Sequence, residues 1–285
     1  SYGMRESALG QSKINAGDIL IIGDEVVHGG EWHELLQSDK VKNRGTGWGF
    51  PGPTISQIRT ELKNIFTGRS DNEKPATVVL WAGAADCNNS AAVSTMNSTY
   101  KGLVNDVRSY APDAHIVIMS VAPNSNNAIN TNYVVPFNSN LEKLAESTAG
   151  CEYVDVYTPL SQNAADYMSG NYVYGLGYAK VANVLGEALG LQAVSMDEAT
   201  RLHERGALRT SLSSALASAC EAADEATQAD ADALAALKNA IEEAQAILAS
   251  PTSDKAAYNE ALKALRTALS AMADIDPDGY VVDMT

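Results

Sequence analysis

Asp18-Ile19-Leu20-Ile21-Ile22-Gly23-Asp24-Glu25 is the stretch on which the reading of this chain turns. Asp18–Ile22 is short, apolar and rich in isoleucine, the pattern of a buried β-strand, and Gly23 ends it. A helix-compatible segment follows and leads to Trp32, His33, Leu35 and Leu36. A strand that turns sharply into a helix exposes one side chain at the carboxyl edge of a sheet, a common place for a nucleophile. The side chain at this turn is Glu25, a carboxylate where a hydroxyl would be the usual nucleophile.

Outward from this turn, strands and helices alternate to about residue 190. The strands predicted are 18–22, 40–43, 77–81, 115–121 and 152–156. Helical patterns cover 31–37, 54–66, 92–110, 132–147 and 178–189. Thr77-Val78-Val79-Leu80-Trp81 and Ile116-Val117-Ile118-Met119 are almost continuously apolar, as parallel strands covered on both faces by helices must be. Right-handed crossovers then give a three-layer α/β/α sandwich around a five-stranded parallel sheet. Sites in such sheets form at the carboxyl ends of the strands, so the informative loops begin at Gly23, Asn43, Trp81, Val121 and Val156.

After Gln192 the texture changes. Residues 208–272 are Ala-rich, with helical spacing and few β-branched residues. Leu208, Leu212, Leu216 and Cys220 share one helical face; Leu234, Leu237, Ile241, Ala244 and Leu248 a second; Tyr258, Leu262, Leu265 and Leu269 a third. Pro251-Thr252-Ser253 separates the last two, with Ser253 or Thr252 as the N-cap. The expected organisation is an α/β domain over 1–195, an antiparallel three-helix bundle over 203–275 and a tail or linker over 276–285.

The chain has 285 residues, 45% of them apolar, and a net charge of −15. That charge argues against nucleic acid, whose phosphates need cationic partners, and against anionic membrane surfaces. No apolar run reaches the ~20 residues of a membrane span, so no membrane insertion is expected. Cys87, Cys151 and Cys220 match neither a disulfide framework nor a zinc spacing, and Asp24, Glu25 and Asp86, which offer oxygens to a cation such as calcium, come from two loops without a recognised ligand spacing, so no metal or cofactor is expected. Ser1-Tyr2-Gly3 carries no signal peptide and reads as a start inside a longer protein, with neighbouring modules on the same chain.

Four blocks in sequence order, within residues 17–190, resemble the SGNH (GDSL-like) hydrolase family. Gly23-Asp24-Glu25 stands where that family has Gly-Asp-Ser. Lys42-Asn43-Arg44-Gly45-Thr46-Gly47 is similar to the block after the second strand. Trp81-Ala82-Gly83-Ala84-Ala85-Asp86 is similar to the Gly-Thr-Asn-Asp block after the third. Gly175-Leu176-Gly177-Tyr178-Ala179-Lys180 resembles the segment that opens the last helix. The resemblance implies a flavodoxin-like sandwich, but its catalytic side chains do not carry over. Glu25 replaces the serine nucleophile, Trp48 falls at the glycine of the oxyanion hole, and Ala85 replaces the oxyanion asparagine. Ser169 and Tyr172 replace the aspartate and the histidine base. An ionised glutamate accepts hydrogen bonds and repels an oxyanion, alanine donates nothing, and a phenol of pKa about 10 is a poor base at neutral pH. The resemblance with these replacements implies no catalytic residues for serine ester hydrolysis. The bundle resembles the FIVAR-type helical modules of bacterial surface and secreted carbohydrate-active proteins.

The candidate ligand contacts are Glu25, Trp48, Asp86, Tyr172 and Tyr174. Glu25 with Asp24 or Asp86 suits acid/base chemistry, or else sits at a solvated cleft edge beside a turn braced by Asp24. Trp48 and the two tyrosines suit stacking on sugar rings, or else Trp48 and Tyr172 plug the vacated pocket. His28 falls three residues after Glu25, within reach of a helical pair. Asn124-Ser125-Asn126-Asn127 is a polar loop suited to a ligand or to turn chemistry. The expected role is a non-catalytic, secreted or cell-surface bacterial module with a glycan or surface-protein partner. The alternative is a carbohydrate esterase or other hydrolase with relocated groups near Glu25.

Overall fold

The computed structural model describes residues 12–47, 52–226 and 231–273. The chain divides into two compact units, Ser1–Ala199 and Thr200–Thr285.

In the first unit the elements are β1 (Ile19–Gly23), α1 (Glu25–Gly29), α2 (Trp32–Leu35), β2 (Val41–Gly45), α3 (Ile55–Thr67), β3 (Thr77–Trp81), α4 (Ala84–Asn88), α5 (Val93–Tyr110) and β4 (His115–Met119). There follow α6 (Asn127–Ile129), a π-helical turn (Asn130–Val134), α7 (Val135–Glu146), β5 (Cys151–Val154), α8 (Tyr157–Gln162), α9 (Ala164–Tyr167), a hairpin of β6 (Met168–Ser169) and β7 (Tyr172–Val173), and α10 (Leu176–Leu189). The five long strands are parallel in the order β2-β1-β3-β4-β5. This is the flavodoxin-like order expected from the alternating pattern.

Alternation along the strands makes the three layers. Leu20, Ile22, Val78, Leu80, Ile116 and Ile118 pack with α3, α5 and α7 in one core cluster. Ile19, Ile21, Val79, Trp81, Val117 and Met119 pack with α1, Trp32 and α10 in the other. The central strands β1, β3 and β4 therefore bury both faces, which is why their sequences read as nearly continuous apolar runs.

Element boundaries moved for identifiable reasons. β4 stops at Met119, short of the expected Val121, because the Val121 amide and carbonyl are taken by the Asn138 side chain at 2.7 and 3.1 Å. The helix expected from Asn132 starts at Asn127, where the Asn126 side chain accepts from the Ala128 amide. It passes through the π turn just before Pro136, which has no amide to donate into a regular α ladder.

In the second unit, α11 (Met196–Glu225), α12 (Ala231–Ala249) and α13 (Lys255–Ala273) share one core of Leu212, Ala219, Leu237, Ala244, Tyr258, Leu265 and Leu269. The first of these helices begins at Met196, not near Leu208. The Ser195 hydroxyl accepts from the Glu198 amide, and Asp197 and Glu198 place acid in the first turn. The cap of α13 is Asp254, which accepts from the Ala257 amide at 2.8 Å; Ser253 instead donates to the Ile247 carbonyl.

One buried side chain ties the first turn to the sheet. Asn43 Nδ2 donates to the Val27 and Gly30 carbonyls at 2.8 and 2.9 Å, and Oδ1 accepts from the Gly45 amide at 2.9 Å. Asn43→Ala strands these buried backbone groups and is expected to cost about 2–4 kcal/mol. In urea unfolding followed on the first unit, the midpoint should fall with the slope unchanged. An unchanged midpoint would refute the role.

Candidate functional site

Gly23 closes β1 because a Cβ there would run into the Trp81 carbonyl and approach Val27 Cγ2 to 2.6 Å. The chain then turns at Asp24, whose Oδ1 caps α1 by accepting from the Val26 amide at 3.0 Å. Asp24 is 3% exposed. This turn delivers Glu25 as the first residue of α1, at the carboxyl end of β1. After β3, Gly83 adopts φ +118°, a left-handed conformation that suits glycine, and lies against Phe137. It opens the loop that brings up Ala84 and Ala85.

These turns line a cleft that is open to solvent. Its lining includes Asp24 and Glu25 from the first turn, Ala82, Ala85 and Asn88 after β3, and Val121–Asn124 after β4. Asn171 and Tyr172 complete it from the β6–β7 hairpin. Glu25, Ala85 and Tyr172, predicted to share one place, thus converge there. Among the described residues, the lining includes no serine, histidine, lysine or arginine.

Other candidates fall elsewhere. Asp86 does not line the cleft; its Oδ2 accepts from the Ile55 amide at 2.9 Å and joins α4 to the start of α3. Ser169 is exposed and pairs with Tyr172 across the hairpin, outside the lining. Tyr174 is 58% exposed and also lies outside the lining. Trp48 lies outside the described residues. The histidines are dispersed. His28 is buried beside Gly45 and Gly47, His33 is exposed beside Glu34, His115 pairs with Glu152 at the far end of the sheet, and His203 is on α11. Trp32 and Trp81 are core residues in edge-to-face contact at 6.1 Å.

All three carboxyl groups, Asp24, Glu25 and Asp86, are raised by burial. Burial pushes the Asp24 carboxyl well above the usual carboxylate range, and the charges of Glu25 and Asp86 push it further. Burial likewise raises Glu25 and Asp86. Glu25 Oε2 is buried and accepts no hydrogen bond from the described residues. Gly52, at φ +83°, lies so close to the Glu25 carboxylate that a Cβ there would collide with it. A carboxyl held this way can donate a proton when neutral and accept a ligand's donor when ionised.

Sequence reasoning undervalued the asparagines. Asn88 and Asn171 were missed, and Asn124 was seen only as part of a polar loop. Asn124 Nδ2 and Asn171 Nδ2 both donate to Asn88 Oδ1 at 3.3 Å, and Asn171 Oδ1 accepts from the Ser125 amide at 2.8 Å. No local spacing joins residues that come from three separate loops.

A pH dependence follows from the buried acids. A carboxyl with a raised folded pKa adds stability that is fully present below its unfolded pKa, about 4, and is lost as pH rises through the folded value. Asp24→Asn keeps an oxygen for the Val26 amide and removes the charge. The melting temperature of this variant minus that of the parent should therefore grow more positive from about pH 4 to pH 8. A difference independent of pH would show that Asp24 is not held neutral by its surroundings.

Comparison with known proteins gives this geometry its context. Residues 21–174 match the GDSL-like Lipase/Acylhydrolase family. Over 106 residues the chain is 24% identical to the human platelet-activating factor acetylhydrolase IB subunit alpha2, covering 37% of this chain and 44% of that protein. The chain thus spans less than half the length of the curated relatives it matches. A solved structure from Streptococcus pneumonia, described as a platelet activating factor, superimposes with a TM-score of 0.54 at 20% identity, over 66% of this chain and 91% of that one. A member of the lipolytic protein G-D-S-L family from Veillonella parvula does so at 0.52 and 16% identity, over 61% and 99%. At such identities the superpositions speak for the fold alone. The family match covers more than half of the chain, and the chain belongs to the GDSL-like lipase/acylhydrolase family.

Proposed function

We propose that this domain is a non-catalytic member of its family with respect to serine ester hydrolysis, and that its cleft binds a glycan. The carrying observation is the convergence of Glu25, Ala85 and Tyr172 in one open cleft whose lining, among the described residues, includes neither serine nor histidine. Acyl transfer by the serine route needs a hydroxyl, an imidazole to take its proton and donors for the oxyanion. At the matching positions stand an acid, a methyl group and a phenol. The cleft remains a site all the same. Tyr172 supplies an aromatic face, Glu25 an acceptor and the asparagines amide groups, the chemistry that sugar rings require.

The wider setting belongs to the same proposal. The Ala-rich helices of the second unit act as a FIVAR-like spacer, and the chain is part of a secreted or cell-surface bacterial protein. An α/β domain over 1–195, a bundle over 203–275 and a tail or linker over 276–285 complete the picture, with no nucleic-acid partner. The overall charge of −15 accords with a partner that is not a polyanion.

The test is turnover of p-nitrophenyl acetate and of acetylated xylo-oligosaccharides. The expected result is a rate equal to the buffer control for both the parent chain and Glu25→Ala. Turnover in the parent that Glu25→Ala abolishes would overturn the proposal. It would establish the second reading, a hydrolase with relocated groups, for which the raised carboxyl of Glu25 beside an open cleft is the favouring observation.

A further inference from the structure

We propose that Asn88, Asn124 and Asn171 form a subsite that reads the hydroxyl groups of an uncharged polyol, and that Asn130 and Asn138 hold this subsite in shape. The inference rests on the reading of the cleft as a binding site and names the ligand class and the residues that select it.

The three asparagines line the same cleft as Glu25 and Tyr172. Their carbonyl oxygens are engaged within the protein. Asn88 Oδ1 accepts from Asn124 and Asn171, Asn124 Oδ1 accepts from the Asn126 amide at 2.8 Å, and Asn171 Oδ1 accepts from the amide and hydroxyl of Ser125 at 2.8 and 2.7 Å. An amide NH₂ carries two protons. Asn88 Nδ2 donates to none of the described residues, and Asn124 and Asn171 each use Nδ2 for one bond only. The remaining hydrogen-bonding capacity of this side of the cleft is therefore donor-rich. The Glu25 side is the reverse when its carboxyl is ionised, an acceptor with no proton of its own to give.

Opposed donor and acceptor sides select by chemistry. A hydroxyl both donates and accepts, so a polyol satisfies both sides at once. An ammonium group donates only and suits Glu25 but not the amides. A carboxylate or phosphate suits the amides but meets the carboxyl groups of Asp24 and Glu25, with no cationic side chain lining the cleft among the described residues. Tyr172 provides the ring face on which an uncharged sugar packs.

The subsite is preorganised by a second pair of asparagines behind the loop after β4. Asn130, buried in the π turn, accepts from the Asn124 amide and donates to the Asn124 carbonyl, both at 2.7 Å. Asn138, buried on α7, makes the same reciprocal pair with Val121. The loop carrying Asn124 is thus pinned at both ends, which lowers the ordering cost of binding. A π turn at such a place is consistent with a site, since these turns are frequent at functional positions.

The test uses the full chain and a fixed probe set: cellobiose, lactose and N,N′-diacetylchitobiose as neutral ligands, with glucosamine and glucuronate as charged ones. Saturation-transfer NMR detects contact and titration calorimetry gives affinity. Binding of at least one neutral sugar, in preference to both charged ones, is expected. Asn88→Asp keeps the size and the carbonyl oxygen but loses the amide donors, and Asn171→Ala removes the second donor; each should weaken binding at least tenfold. Lys101→Ala, on the exposed face of α5, should leave affinity unchanged. Circular dichroism melts confirm folding, and Asn171→Ala decides the matter if Asn88→Asp does not fold. Unchanged affinity in the folded asparagine variants overturns this inference and leaves the binding reading intact. Preference for glucosamine or glucuronate overturns the uncharged class. Failure of every probe to bind overturns the glycan reading and this inference with it.

Discussion

A buried carboxyl bonded to the amide of a helix's second residue is the constraint on which the first unit depends. Asp24 caps α1 from a position 3% exposed, and that single contact decides where the chain goes after β1. The turn cannot open, because Gly23 lies directly on the Trp81 carbonyl of the neighbouring strand. It cannot tilt, because Asn43 holds the far end of α1 through the Val27 and Gly30 carbonyls. With the turn fixed, Glu25 has one place to be. The cost is a buried acid next to two others: burial shifts all three carboxyls toward the neutral form, and the charges of Glu25 and Asp86 shift Asp24 further.

The cleft extends this logic by dividing labour between backbone supports and lining groups. Asn43, Asn130 and Asn138 are buried and bond almost wholly to backbone, which shapes the turn after β1 and the loop after β4. Asn88, Asn124 and Asn171 bond to one another and keep donors to spare. Amide side chains suit both tasks because they carry donors and acceptors without charge, so they add nothing to the repulsion already present among the acids.

The fold was legible because its signals are local and repeated. Apolar runs such as Thr77–Trp81 need only a few neighbouring residues to announce a strand covered on both faces. The turn at Gly23 and the last-helix opening at Gly175 were legible for the same reason. The starts of helices were harder. Ser195 capping Glu198 lies before the Ala-rich stretch, so periodicity alone placed the first bundle helix a dozen residues too late. The site was legible only in part. Glu25, Ala85 and Tyr172 were placed by order of blocks, and the structure brings them together. Asp86 was misjudged because its use is a long-range bond to the Ile55 amide, which no local pattern encodes. The asparagine network was invisible for the same reason, since Asn88 and Asn171 meet only through the fold.

The contact between Gly52 and Glu25 has a consequence for how this cleft can change over time. The backbone at Gly52 takes a conformation that favours glycine and rests against the carboxylate with no space for a side chain. The two positions therefore fit as a matched pair. A small hydroxyl-bearing residue at position 25 would leave a gap under Gly52, and a larger residue at position 52 would evict Glu25. Shape, as much as charge, therefore constrains which residues positions 25 and 52 accept together.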